Sequence, residues 1–377
     1  MSDVHVDYLS TDALTEGVGA SQVLAYVERL PSRGVGVTLH SFEKEAPPAA
    51  LRARLDAAGV LWLPLPFGRF GAAGGLKRLV DGARAVRGAT LVHARADLAA
   101  ASVLVSRQDQ WLWDCRGLFA DQRLALGTLR AGSPEHRVLR RVERASARGA
   151  SAIVTLTAAV IPVLEERYGP GVAPRCTVIP TCVDTARFAP VPLPDRSTIE
   201  LLLSGTINRY YDVPAMVALV RALRSRRPTN LVVAAPTSTA WDRELADVAT
   251  SRVSVAPDAV PAVVAASHAG LSVCRDDAGI SLTGSMPTKI AEFLAMGRPV
   301  VVNRLLGDAA TLVTEHRAGV VLDAGSPGGV ERAADELESL LADPELSARC
   351  RALAESHFDL ERAVDGLAAV YRSVAGA

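Results

Sequence analysis

A rhythm of short apolar strands and helical stretches runs along this chain, stops once, and starts again. Before the break, "VHVDYL" (4–9), "GVGVTLHSF" (34–42), "ATLVHARAD" (89–97), "WLWDC" (111–115), "SAIVTL" (151–156) and "TVIP" (177–180) read as strands. Helical patterns fill the gaps; in "ASQVLAYVERL" (20–30), Val23, Leu24, Val27 and Leu30 fall on one stripe. The break is "FAPVPLPDRS" (188–197), whose prolines fit neither a helix interior nor a central strand. After it come "IELLLSG" (199–205), "TNLVVAAP" (229–236), "RVSVAP" (252–257), "AGLSVCR" (269–275), "RPVVVN" (298–303) and "GVVLD" (319–323), with "VPAMVALVRALRSR" (213–226) as a helix. Repeated strand–helix–strand units require right-handed crossovers and mostly parallel sheets. The expectation is an α/β protein with two such domains joined by the proline-rich stretch. A length of 377 residues suits two domains. Aromatic residues are only 5% against 49% hydrophobic, so both cores must be built from Val, Leu, Ile and Ala.

Lys+Arg and Asp+Glu are each 41, so there is no basic surplus for generic nucleic-acid binding. Cys115, Cys176, Cys182, Cys274 and Cys350 are scattered, odd in number and form no C-x-x-C pair. They point to a reducing, cytoplasmic setting and away from structural zinc. "MSDVHVDYLS" lacks the pattern of a secretory signal, and no apolar run reaches the roughly 18 residues of a membrane span. "RVLRRVERASARGA" (137–150) is basic and amphipathic, but no Trp or Phe lines its apolar side, so it reads as a solvated face and membrane contact as at most peripheral. The seven histidines lie far apart without ligand spacing, and no G-x-S-x-G turn is present; neither a metal site nor a serine nucleophile is expected.

Ligands of parallel α/β sheets bind outside the carboxyl ends of the strands. Two places there carry polar residues. "LVHARAD" (91–97) and "WLWDCRGLFAD" (111–121) bring His93, Arg95, Asp114 and Arg116 to strand ends, where they face a ligand or, more blandly, where Asp114 and Arg116 pair to hold a loop. The other is "SMPTKIAEFLAMGRPVVVN" (285–303). Pro287 suits the first helical position, and the N–H groups of Thr288 and Lys289 would then point out of the helix mouth, where the dipole favours an anion, phosphate above all. Lys289 adds a full charge. Thr288 and Glu292 share a face, so a carboxylate able to bind a ribose diol sits one turn from the phosphate. The same residues also fit a capped helix with a solvated Lys–Glu face, and spacing alone does not choose between the two.

That stretch resembles the donor-nucleotide signature of the retaining family 4 glycosyltransferases, which have the two-domain GT-B fold. Glu292 matches the family's ribose-binding glutamate, and Ala295, Gly297, Pro299 and Val300 match its frame. The second glutamate of many members is replaced by Gly284, so Ser285, Thr288 and Lys289 correspond to the alternative form of the loop, and the backbone of Ser281 to Gly284 is expected to hold the sugar. "TEGVGASQVLAYVERL" (15–30), with Gly17 and Gly19, is similar to the family's N-terminal glycine-rich loop, although a plain βα turn explains it as well. "VIPTCVDTARF" (178–188) resembles "VIPNGVDxxxF", with Thr181 and Cys182 in place of Asn and Gly. "LLLSGTINRYYDVPAMVALV" (201–220) resembles the opening of the second domain; from Gly205, the family's Arg and Lys positions hold Thr206 and Tyr211, and Arg209 between them could substitute.

The resemblance implies two Rossmann-like domains facing a central cleft: an acceptor-side domain, 1–190, with a C-terminal helix, 357–377, packed back on it, and a nucleotide-sugar domain, 191–356. It implies transfer of a sugar from a UDP-, GDP- or TDP-sugar to a small-molecule or saccharide acceptor, with retention, no bound cofactor and no metal. Lys289 and Arg209 are expected to act in catalysis. Gly17, Gly19, Gly205, Thr206, Tyr211, Pro236, Ser281, Gly284, Ser285, Thr288 and Glu292 are expected to bind the donor, and His93, Arg95, Asp114 and Arg116 to lie on the acceptor side. Abundant Ala and Arg fit a GC-rich genome, where such genes often serve specialised metabolism. Two rivals keep the fold: a nucleotide-sugar epimerase, with Glu16, Asp114 and Asp277 as candidate carboxylates, and a non-catalytic nucleotide-sugar-binding partner of another transferase.

Overall fold

The computed structural model describes residues 4–195, 197–235 and 240–376, arranged as two compact units. The first comprises the chain up to Leu124, Leu129–Pro180 and the segment from Leu360 onward; the second comprises Ala125–Thr128 and Thr181–Asp359. Pro236 lies outside the described residues.

The first unit holds an eight-stranded sheet built from β1 (Val4–Ser10), β2 (Val35–Glu43), β3 (Val60–Trp62), β4 (Leu65–Pro66), β5 (Val92–Arg95), β6 (Trp111–Cys115), β7 (Ala152–Thr155) and β8 (Cys176–Val178). Its order is β3-β2-β1-β5-β6-β7-β8, with β4 pairing β2, and every pairing is parallel. The strands are near-continuous apolar runs because helices cover both faces. Register brings chemistry together: Tyr8 lies opposite His93, and Arg95 opposite Asp114. β3 and β4, absent from the sequence reading, are only three and two residues long and too short to show a period.

The C-terminal helix Leu360–Ala375 buries Leu360, Ala363, Val364, Leu367, Ala368, Tyr371 and Val374, a three-and-four spacing that makes one continuous stripe. Its outer edge is tied to the first unit by Arg29–Glu361 (2.6 Å), Arg33–Asp365 (2.9 Å) and Arg33–Glu361. The basic helix Pro134–Gly149 turns Arg140 onto Asp121 and the buried Glu143.

In the second unit, β9 (Ile199–Ser204), β10 (Thr229–Ala234), β11 (Ser251–Val253), β12 (Ala269–Ser272), β13 (Val300–Asn303) and β14 (Gly319–Leu322) form a parallel sheet of order β11-β10-β9-β12-β13-β14. The order reverses between β9 and β12, the switch point where such sheets open a crevice. The proline-rich stretch carries no helix or strand among its described residues. It is held instead by the buried Arg298, which donates to the carbonyls of Val191 (3.1 Å), Pro192 (3.1 Å) and Ala265 (2.8 Å).

Candidate functional site

The helix Thr288–Ala295 leaves the carboxyl end of β12 by way of Asp276–Gly284 and packs back on that strand. Gly270 of β12 permits this: a Cβ there would stand 2.2 Å from the Phe293 ring. The helix ends in a Schellman motif. Gly297 (φ +73°) donates to Leu294 and Arg298 to Phe293, each at 2.9 Å. At the other end Pro287 is the N-cap, extended at φ −62° and ψ 131°, rather than the first helical residue. The preceding Met286 is fixed by Thr181, whose hydroxyl donates to its carbonyl at 2.8 Å. No side chain caps this end.

Lys289 turns inward from the first turn. It is 7% exposed, and its ammonium has no hydrogen-bond partner among the described residues. It sits 4.2 Å from the centroid of the Tyr211 ring, a cation–π contact. A Cβ on Gly205, which has φ +85°, would lie 3.9 Å from Lys289 Nζ. A cation thus occupies the surroundings of Gly205 and Tyr211 although the loop itself supplies no lysine there. Burial pushes the Lys289 pKa down to about 8. One turn on, burial pushes Glu292 up to about 7 against the opposing pull of Lys289 and Arg187.

Tyr211 joins Cys274 through an antiparallel bridge, and burial pushes that thiol up to about 12. Beside Cys274 a cavity of about 330 Å³ opens at the carboxyl ends of β12, β13 and β14, lined in part by Asp212, Trp241, Asp276 and Asn303. The hydroxyl of Tyr210 lies 2.9 Å from Ser281 Oγ and 3.1 Å from Ser285 Oγ, and Ser285 Oγ donates to the Ser281 carbonyl at 3.0 Å. Ser281, Gly284 and Ser285 are all buried. Tyr210 was not among the residues singled out in the sequence; 71 positions separate it from Ser281, and only folding joins them. Gly205, Thr206 and Arg209 are exposed, and the Arg209 carbonyl accepts from Arg275 at 3.0 Å.

The first unit has its own polar cluster. Asp114, 4% exposed, accepts from Arg95 Nη1 at 3.2 Å and Arg116 Nη1 at 3.3 Å, and its Oδ2 faces His93 Nε2 at 3.4 Å. Burial alone would raise the Asp114 pKa, but Arg116, His93 and Arg95 together hold it well below the usual carboxylate range. Burial lowers the His93 pKa, so its ring is neutral. His93 stacks on Tyr8 at 4.0 Å, and its Nδ1 lies 2.8 Å from the Tyr371 hydroxyl. A carboxylate only accepts, so Nε2 carries the ring proton and Tyr371 donates to Nδ1.

Two residues absent from the sequence reading complete this cluster. Gln22 Oε1 accepts from Arg95 Nη2 and Arg116 Nη2, each at 2.9 Å, and Asp12 Oδ2 accepts from Arg95 Nε, also at 2.9 Å. Gln22 is carried by Ala20–Leu24, where the helix following Gly17–Gly19 widens to a π turn, a feature frequent at functional sites. Gly19 cannot be replaced, since a Cβ would stand 1.9 Å from the Ala13 carbonyl; Gly17 is open. The loop before it is braced by the buried Glu43, which accepts from Leu14 N at 3.1 Å. Among the described residues, no three His, Cys, Asp or Glu side chains are grouped to hold a metal ion, and no helix is long and apolar enough to cross a membrane.

Residues 19–187 match the sequence model of Glycosyltransferase Family 4. No curated protein matches the chain significantly in sequence. Among solved structures, the sucrose-phosphate synthase of Thermosynechococcus elongatus superposes with a TM-score of 0.74 at 15% identity, covering 98% of both chains. HepE of Anabaena, in complex with UDP and glucose, gives 0.68 at 16%, covering 98% of this chain and 100% of its own. AviGT4, a glycosyltransferase of avilamycin A biosynthesis, gives 0.63 at 17%, covering 99% of each. At these identities the structural likeness establishes the fold: two Rossmann-like domains of the GT-B type. The family match covers residues 19–187, within a chain whose fold is of that type.

Proposed function

We propose that this chain transfers a glycosyl group from a nucleotide diphosphate sugar to a small-molecule or saccharide acceptor, with retention and without a bound metal. The observation that carries the reading is the buried ammonium of Lys289, left without a hydrogen-bond partner among the described residues at the mouth of a helix that no side chain caps. A buried unpaired cation is costly, and an anion arriving at that mouth would answer it. As the bond from the sugar to the diphosphate breaks, charge builds on the leaving phosphate. Lys289 and the helix N-terminus stabilise that charge more than the ground state, which is what accelerates a reaction. Glu292, as a carboxylate one turn away, accepts hydrogen bonds from the ribose diol. Thr288, Ser285 and the backbone of Ser281 to Gly284 are assigned to the donor, together with Gly205, Thr206, Tyr211, Pro236, Gly17 and Gly19. Arg209, exposed on its loop, is assigned to the diphosphate.

On the acceptor side, His93, Arg95 and Asp114 serve as a buried buttress, and Arg116 stands at its edge. UDP, GDP and TDP sugars all remain candidate donors; the UDP bound to HepE makes a UDP-sugar the first to try. The free cysteines fit a cytoplasmic setting. No observation favours an epimerase, because its candidate carboxylates are engaged: Glu16 with Lys44 (2.6 Å), Asp277 with Arg275 (2.8 Å) and Asp114 with its three basic neighbours.

The test is a thermal-shift panel with UDP, GDP, TDP and ADP. A ligand at 100 times its dissociation constant raises stability by about 2.7 kcal/mol. Lys289→Ala is expected to weaken diphosphate binding about 100-fold while nucleoside binding changes little, and Glu292→Ala to weaken both. Equal nucleotide binding by wild type and both folded variants would overturn the assignment. Donor binding without release of nucleotide, across donors and acceptors, would instead support the non-catalytic partner.

A further inference from the structure

The polar cluster of the first unit is a chain of contacts with a buried end and an open one. From the C-terminal helix, Tyr371 donates to His93 Nδ1 at 2.8 Å, and His93 Nε2 faces Asp114 Oδ2 at 3.4 Å. Asp114 Oδ2 accepts from Arg95 Nη1 at 3.2 Å, and Arg95 Nε donates to Asp12 Oδ2 at 2.9 Å. Tyr371, His93, Arg95 and Asp114 are at most 4% exposed. Asp12, on the loop after β1, has a side chain 35% exposed, and its Oδ1 has no hydrogen-bond partner among the described residues. Arg95 is held by Asp114 on one nitrogen and by Gln22 on another, so the direction of its third N–H, and with it the place of Asp12, is fixed. The next residue, Ala96, has φ +61°, an unusual conformation for a residue other than glycine, of the kind found at functional sites.

We propose that Asp12 is an acceptor-binding residue of this transferase. Its Oδ1 accepts a hydrogen bond from an acceptor hydroxyl, and Tyr371 is the positioning residue at the far end of the chain of contacts. The proposal rests on the transferase reading above and goes beyond it by naming the acceptor as hydroxylated. A hydroxyl is neutral near pH 7 and has a hydrogen to give to a carboxylate. An ammonium group would meet the Arg95 guanidinium that already holds the same carboxylate, and a thiol is a weak donor that ionises not far above neutrality.

The experiment takes the full chain with whichever donor stabilises it, and measures nucleotide release with three acceptor sets: monosaccharides and their methyl glycosides, primary amines, and thiols. Sugars are expected to stimulate release in the wild type. Asp12→Asn should raise the acceptor KM about 10- to 100-fold, leave donor binding unchanged, and be partly rescued by Asp12→Glu. Tyr371→Phe should raise the same KM several-fold, and in the double variant should add nothing to Asp12→Asn, as expected for residues that act through one group. An acceptor KM in Asp12→Asn within threefold of wild type, additive effects in the double variant, or stimulation by amines or thiols alone would overturn the proposal. Should Tyr371→Phe fail to fold, Asp12→Asn decides by itself, since Asp12 is half-buried and the change keeps its size. If a donor binds and no sugar stimulates release, the Asp12 assignment fails alone; if no donor binds, the transferase reading fails with it.

Discussion

Asp114 in the first unit and Lys289 in the second are both buried charges near the carboxyl edge of a parallel sheet, and their surroundings treat them in opposite ways. Asp114 is met by two guanidinium groups and an imidazole, and those guanidinium groups are themselves held by Gln22 and Asp12. Lys289 meets the face of a tyrosine ring and donates no hydrogen bond to any described residue. In the first arrangement the central charge is answered within the protein; in the second it is not. A completed network holds neighbouring groups in place, whereas an unanswered charge stores free energy that a ligand of opposite sign can release. A buttress is therefore the natural reading of Asp114, and an anion-binding group that of Lys289.

That contrast should be largest in stability. Removing one member of a buried, hydrogen-bonded charge set typically costs about 3–5 kcal/mol. Asp114→Ala is expected to lose stability on that scale in urea unfolding of the ligand-free protein, because it removes the carboxylate shared by the buried Arg95 and its neighbour Arg116. A loss below about 1 kcal/mol would show that the network is as weak as a surface ion pair, and would remove the distinction.

Lys289→Met should move stability the other way. The ligand-free variant is expected to be more stable than wild type near pH 7 by about 1–3 kcal/mol, since an unpaired buried cation has been replaced by an apolar chain of similar length. The pH dependence carries a sign. The folded protein lowers the Lys289 pKa from 10.5 to about 8, so the penalty is complete below pH 8 and fades as pH rises towards 10.5. Glu292 is raised from 4.5 to about 7, so its penalty is complete above pH 7 and fades as pH falls towards 4.5. The advantage of Lys289→Met should therefore shrink between pH 8 and 10.5, and that of Glu292→Gln between pH 7 and 4.5. An advantage that stays flat over both ranges would mean that neither group is strained by burial.

The smallest effect sharpens the second unit alone. Tyr210→Phe removes the hydroxyl that reaches Ser281 and Ser285 and is expected to cost about 0.5–1.5 kcal/mol. If the loop before the helix matters to the donor, the same variant should weaken nucleotide binding by a similar amount in calorimetric titration.

Much of the frame could be read from the sequence because it rests on local pattern. The apolar runs of β1, β2, β5 to β7 and β9 to β14, the helix start near Pro287 and the stop at Gly297 all follow from neighbouring residues. What escaped is non-local. Asp12 and Arg95 are 83 residues apart, Gln22 and Arg116 are 94 apart, and neither Asp12 nor Gln22 stands in a spacing that marks it. The inward turn of Lys289 was equally hidden, since spacing left open whether it met a phosphate or lay on a solvated Lys–Glu face, and only the surroundings of Gly205 and Tyr211 show it buried. Arg209 was chosen by its place in an alignment, and in the structure its side chain is exposed.

The hydroxyl that fixes His93 belongs to Tyr371, six residues from the end of the chain, while His93 itself lies in the first hundred. A chain made from its N-terminus therefore exposes the strands of its first domain long before the residue that completes their polar core exists. During synthesis that domain must wait, with Asp114 and its partners incompletely braced, while every residue of the second unit is added. The helix Leu360–Ala375 thus acts as the latch that closes the domain its N-terminal strands begin.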